Sequence, residues 1–183
     1  MAENWPVPFN LKEWLDTNRH LMVPPVTNRK LFENEDGMIF QMLGGGNQRV
    51  DFHIDPAEEF FYQMKGDMIL KLHVDGQIRD VPIREGEVYL LPAHVPHSPQ
   101  RPDPESFGLV VEGPRLPGML DAFEWYCFEC GSKVDRVELE LKDIVKDLPP
   151  LFEAFYSDVE RRTCKNCGTV HPGKEPPAGW VQL

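Results

Sequence analysis

The sequence predicts a mainly β protein, a small sandwich or barrel with few helices, on three observations. Short apolar runs separated by turn residues recur between Met38 and Val111. Asp75-Gly76, between Leu72-His73-Val74 and Gln77-Ile78-Arg79, is a strong hairpin signal. Segments with helical periodicity lie only near the two ends of the chain.

Taken in order, the first element is a helix beginning at Asn10-Leu-Lys-Glu13-Trp14-Leu15. Asn10 can cap its N-terminus, Glu13 holds the capping-box position, and Leu11, Trp14 and Leu15 share the face that meets the body. Pro24-Pro25 ends any helix and forces an extended segment towards Asn28 and Arg29. Strands are expected over residues 38–43, 60–64, 68–74, 77–79, 87–91 and 107–111, with a loop at 44–47. Beyond Pro114 a strand over 137–141 alternates apolar and charged residues, and an amphipathic helix over about 150–161 carries Leu151, Phe152, Phe155 and Val159 at helical spacing. A Pro- and Gly-rich tail closes the chain. The organisation expected is a helix and extended segment over 1–30, a β barrel over 31–115 and a C-terminal extension over 116–183, together one structural domain.

The 183 residues carry a formal net charge of -11, against the clustered Lys and Arg that a nucleic-acid surface needs. Small molecules are the expected partners. The start, Met-Ala-Glu-Asn-Trp, reads as no targeting segment, and no stretch approaches the roughly 20 apolar residues that span a bilayer, so a soluble, cytoplasmic protein is expected. All four cysteines fall in two CxxC pairs, Cys127/Cys130 and Cys164/Cys167, each followed by glycine. That spacing supplies four thiolates for a rubredoxin-like or zinc-ribbon site, closed and structural, holding iron or zinc.

The chemistry centres on His53, Glu59 and His97. Two imidazoles and a carboxylate on one face of a metal, with other positions open, are what a non-haem Fe(II) oxygenase requires. A turn at Asp55-Pro56 must return Glu59 towards His53, and His97 joins them only if the sheet closes around the site. On residue type alone His94 competes with His97 and Glu58 with Glu59; His20, His73 and His171 read as structural. Arg49, Arg101 and Glu112 lie near the triad or at a strand end, where guanidinium forks and a carboxylate suit a small, zwitterionic, amino-acid-like aromatic.

The spacing His53-x-Asp55-x3-Glu59-x6-Gly66 resembles the first cupin motif, with Asp55 in place of its usual second histidine. Gly86-x5-Pro92-x4-His97 resembles the second, with His94 where glycine is frequent. This resemblance favours Glu59 and His97 and implies a cupin fold, a double-stranded β-helix or jelly-roll barrel. Pro8-Phe9-Asn10, Pro24-Pro25-Val26-Thr27-Asn28-Arg29, Glu58-Glu59-Phe60-Phe61-Tyr62-Gln63, His97-Ser98-Pro99-Gln100-Arg101-Pro102, Gly118-Met119-Leu120-Asp121, Glu124-Trp125-Tyr126-Cys127 and Asp147-Leu148-Pro149-Pro150-Leu151-Phe152-Glu153 together resemble the 3-hydroxyanthranilate 3,4-dioxygenases, in the bacterial and fungal form that carries the C-terminal cysteines. The resemblance implies Fe(II) on His53, Glu59 and His97, with O2 as co-substrate. It implies substrate binding by Asn28, Arg49, Glu59, Arg101 and Glu112, with catalytic roles for Arg49 and Glu112. It also implies a homodimer and ring opening of 3-hydroxyanthranilate. The sequence departs from the family in the loop 32–37 and at the termini.

Overall fold

The computed structural model describes residues 7–23, 27–32, 37–142 and 144–182. Pro24-Pro25, most of the 32–37 loop and the first residues of the chain lie outside these. In chain order come α1 (Leu11–Asn18), β1 (Asn28–Lys30), β2 (Ile39–Gly44), β3 (Asp51–Ile54), β4 (Glu59–Lys65), β5 (Met68–Val74), β6 (Gln77–Ile83), β7 (Val88–Leu91), β8 (His97–Gln100), β9 (Phe107–Glu112), β10 (Asp121–Tyr126), β11 (Lys133–Leu139), α2 (Ile144–Tyr156) and α3 (Val159–Arg162).

Two antiparallel sheets result, ordered β1-β2-β9-β4-β7 and β11-β10-β3-β8-β5-β6. Their inner eight strands, 2-9-4-7 facing 3-8-5-6, have the jelly-roll order of two interlocked Greek keys. The Asp75-Gly76 hairpin joins β5 to β6 with both residues at positive φ, 54° and 75°, as a type I′ turn demands. In β4 alternation points Glu59, Phe61 and Gln63 inward, and Phe61 packs with Leu70, Leu72, Leu91 and Val110. β10 is buried along its whole length between β3 and β11. Its Phe123 and Trp125 meet α2, where Trp125 stacks on Phe155 at 4.1 Å. At the other end of the chain, Asn10 Oδ1 accepts from the Lys12 and Glu13 amides and Leu15 of α1 is buried.

Several elements differ from expectation. β1, β3 and β8, at three or four residues each, are too short to announce themselves as strands, and β10 is unexpected although Ala122, Phe123, Trp125 and Tyr126 lie within it. β6 runs on past Arg79 through Pro82, tolerated because β6 is an edge strand. The strand expected over 137–141 is β11, and it begins at Lys133. The helix expected over 150–161 is two helices. α2 begins at Ile144 and contains Pro149 and Pro150, because burying Leu148, Leu151, Phe152 and Phe155 against β10 outweighs the hydrogen bonds the prolines forfeit. It ends at Tyr156, since the Asp158 carboxylate accepts from the Glu160 and Arg161 amides and starts α3, leaving Val159 exposed.

The tail brings Trp180 against Phe52 and Phe128, with the Lys71 ammonium 4.2 Å above its ring. Its indole N–H donates to the Arg49 carbonyl at 2.7 Å, and Gln100 Nε2 donates to the same oxygen at 3.0 Å. His171, 2% exposed, stacks on Phe128 and accepts from the Gly173 amide through Nδ1. Burial and the Arg162 guanidinium hold its pKa down at about 4. Unfolding returns it to the ordinary value of about 6.5, so its contribution to stability is complete above that pH and is lost as pH falls towards 4. Between pH 7.5 and 4.5 urea titrations should show about 2–3 kcal/mol of this loss in the wild type, and His171→Phe should show that much less.

Candidate active site

His53 and His97 are cross-strand partners on β3 and β8 of one sheet, while Glu59 opens β4 in the other. The chain passes between the sheets through a turn in which Asp55 Oδ1 accepts from the Ala57 amide at 2.7 Å. Ligand atoms of His53, Glu59 and His97 thereby fall within 4.8 Å of one another. Glu59 Oε1 lies 3.0 Å from His97 Nε2 and 3.5 Å from His53 Nδ1, yet has no aligned hydrogen-bond partner among the described residues. The other nitrogen of each ring is engaged: His97 Nδ1 at 3.0 Å from the Val95 carbonyl, His53 Nε2 at 2.7 Å from Asp121 Oδ1. With a metal in place of the ring proton, both rings can offer a lone pair to the point that this carboxylate oxygen also faces. First-row metal bonds of about 2.1 Å at right angles place donor atoms about 3 Å apart, so the set fits a metal ion held on one face.

The electrostatics agree. Burial opposes a charged His53, but the Asp121 and Glu59 carboxylates outweigh it and raise its pKa to about 10. Burial likewise opposes the Glu59 carboxylate, and the two imidazoles outweigh it, pulling its pKa well down. A site that keeps Glu59 ionised and draws a proton onto His53 is short of positive charge.

The triad lies in a cavity of about 490 Å³, its open mouth included. Asn28, Gln41, Arg49 and Glu112 supply its remaining polar lining, and Phe61, Val110, Phe123, Ile144 and Leu148 are among its apolar walls. Asn28 Nδ2 donates to Gln41 Oε1 at 3.3 Å, and Gln41 Nε2 donates to Glu112 Oε1 at 2.6 Å. Burial, then repulsion from Glu59, raises the Glu112 pKa to about 7. The Arg49 guanidinium is fixed by Asp51. Arg101 is absent from the cavity lining. It is 3% exposed, its Nε has no partner, and burial alone, with no carboxylate offsetting it among the described residues, lowers its pKa to about 10.

Glu58 and His94 are exposed and away from this cluster. His94 has φ 65°, the left-handed backbone in which glycine is unstrained. His94→Gly should therefore leave metal content unchanged and raise stability by about 1 kcal/mol, read by metal analysis and thermal unfolding.

Sequence reading missed Gln41, Asp51, Asp121 and Arg115. Gln41 is a lone amide in an apolar strand and Asp121 opens another, signals that were present; Arg115 offered none. The four thiols also converge, with Sγ atoms 3.5 Å apart for Cys127 and Cys167 and 3.6 Å for Cys130 and Cys164. Disulfide sulfurs lie about 2.05 Å apart, whereas a tetrahedral metal with bonds of about 2.3 Å separates sulfurs by about 3.8 Å. The four cysteines fit a metal.

Among known proteins, residues 4–156 match the family described as 3-hydroxyanthranilic acid dioxygenase. A protein of Ruegeria pomeroyi named 3-hydroxyanthranilate 3,4-dioxygenase is 58% identical over 175 residues, 96% of this chain and 97% of its own. A protein of the same name from Xanthomonas euvesicatoria is 46% identical over 168 residues, 92% and 94% of the two chains. Among solved structures, a cupin-2 domain containing protein from Shewanella frigidimarina aligns over 58% of this chain and 94% of its own, at 21% identity and a TM-score of 0.44.

Proposed function

The chain belongs to the 3-hydroxyanthranilic acid dioxygenase family, and from that premise we propose that it uses Fe(II) and O2 to open the ring of 3-hydroxyanthranilate between C3 and C4. The product is 2-amino-3-carboxymuconate semialdehyde, which closes spontaneously to quinolinate, a precursor of NAD. The observation that carries the reading is Glu59 Oε1, without an aligned hydrogen-bond partner among the described residues, facing two imidazole nitrogens inside a cavity that Arg49 and Glu112 also line.

His53, Glu59 and His97 would hold the metal, and the cavity that they border would receive the substrate. Ferrous iron bound there would supply a path for electrons from the ring to oxygen. Arg101, a buried guanidinium with no carboxylate against it among the described residues, suits the substrate carboxylate. Glu112, with its pKa near 7, can accept the hydroxyl or amine proton on Oε1 or Oε2. Arg49 faces the cavity from the Asp51 clamp and stabilises negative charge as oxygen is reduced. Asn28 reaches the mouth of the cavity and ties it to Glu112 through Gln41. The apolar walls exclude water from the reacting ring.

The four cysteines hold a second metal, iron or zinc, in a structural role. The same reading includes a cytoplasmic homodimer, a barrel over 31–115 and flanking segments over 1–30 and 116–183. Val88 and Leu90, exposed on the edge strand β7, suit a subunit contact. Among the described residues no helix is long and apolar enough to cross a membrane.

The test is oxygen consumption with absorbance scanning on anaerobically Fe(II)-loaded protein given 3-hydroxyanthranilate. One O2 per substrate and a transient semialdehyde band, both lost in His53→Ala, are expected. No uptake by protein that retains its iron overturns the assignment.

A further inference from the structure

Arg115 follows β9 in a loop and does not line the cavity. Its Nη1 lies 2.7 Å from Glu112 Oε2, its Nη2 2.8 Å from Asp55 Oδ2 and 2.9 Å from Asp121 Oδ1, and its Nε donates to Asp121 Oδ2 at 3.0 Å. All three carboxylates are buried. One of them supports His53 and another faces the cavity.

The same carboxylates belong to competing sets of metal donors. Besides His53, Glu59 and His97, two further groups bring ligand atoms within 4.8 Å: His53 with Asp55 and Asp121, and Asp55 with Glu59 and Glu112. Hard divalent cations prefer carboxylate oxygens, so distance alone does not select the triad. Charge does, because a single planar guanidinium with five donors meets all three rival carboxylates at once, whereas a lysine ammonium is a point charge.

We infer that Arg115 is a positioning residue, a resident cation that hydrogen-bonds Asp55 and Asp121 and lies in ion-pair contact with Glu112 Oε2, confines the divalent metal to His53, Glu59 and His97, and keeps Glu112 available to substrate. The inference rests on the ligand assignment proposed above. Replacing Arg115 by methionine keeps most of the bulk and leaves three buried carboxylates without their cation, which is the composition of a hard-metal site.

The test titrates the full chain, its four-cysteine site loaded, with Mn2+ in the absence of substrate, reading stoichiometry by calorimetry and environment by electron paramagnetic resonance. Wild type should bind one Mn2+. Arg115→Met should bind two, with a spectrum broadened by the neighbouring spin and a KM for 3-hydroxyanthranilate raised about ten- to hundred-fold. Arg115→Lys should bind one and recover part of the KM. Asp55→Asn/Arg115→Met removes a rival carboxylate together with the cation and guards against failure of the single variant to fold. It should bind one Mn2+, about ten-fold or more weakly, because Asp121 and Glu112 are no longer held. A natively folded Arg115→Met with one Mn2+ and a wild-type spectrum overturns the inference, as does a double variant with wild-type affinity and KM. A wild-type chain that binds no Mn2+ at this centre overturns the ligand assignment as well, and since substrate is absent, an error in the substrate alone leaves the Mn2+ result standing.

Discussion

Glu59→Gln should weaken Fe(II) binding by roughly a hundred- to a thousand-fold and abolish oxygen uptake at limiting iron. The carboxylate is the charged member of the set, buried and faced by two imidazoles. Removing one partner from a buried, charge-compensated cluster costs about 3–5 kcal/mol, and each 1.4 kcal/mol is about a factor of ten in affinity. The amide matches the carboxylate in shape, so near-UV circular dichroism should stay native while chelator competition reads the lost affinity. Wild-type retention of Fe(II) in Glu59→Gln would place the metal elsewhere.

Arg101→Met should move stability and substrate binding in opposite directions. The guanidinium is desolvated and meets no carboxylate within the described structure, so the free protein bears the cost of a buried charge. An apolar side chain of similar length relieves it, and stability should rise by about 1 kcal/mol or more. If Arg101 meets the substrate carboxylate as proposed, hydrogen bonds between charged groups contribute about 1.5–3 kcal/mol, so KM should rise roughly ten- to hundred-fold with a smaller change in kcat. Thermal unfolding and steady-state kinetics on the same sample check both signs. A lower Tm with an unchanged KM would make Arg101 structural only.

How far the sequence disclosed this site follows from what kind of signal each part leaves. His53, Glu59 and His97 were legible because a hairpin-rich β pattern and a bend at Asp55-Pro56 leave few ways to bring them together, and the cupin spacing removes His94 and Glu58. The strands that carry the histidines were not legible: β8 contains Pro99, and β3 has only four residues. They persist because they are buried between longer neighbours, a tertiary effect that local propensity does not encode. Arg115 was invisible for a related reason, since its partners Asp55, Glu112 and Asp121 come from three separate segments and meet only when the sheets close. The helix over 144–156 was misplaced because Pro149-Pro150 is a strong local stop signal, overridden by the apolar face that lies on β10.

The bond from Trp180 to the Arg49 carbonyl bears on the order in which the molecule matures during synthesis. A nascent chain emerging from the ribosome has all three candidate metal ligands once His97 is out, although β4 still lacks its partner β9 and β3 its partner β10, and Gln100, which also holds the Arg49 carbonyl, follows directly. Asp121, the support of His53, arrives later, and the indole that completes the clamp on Arg49 comes later still. The clamp on the Arg49 carbonyl therefore closes only after Trp180 has been made, later than every strand of the two sheets.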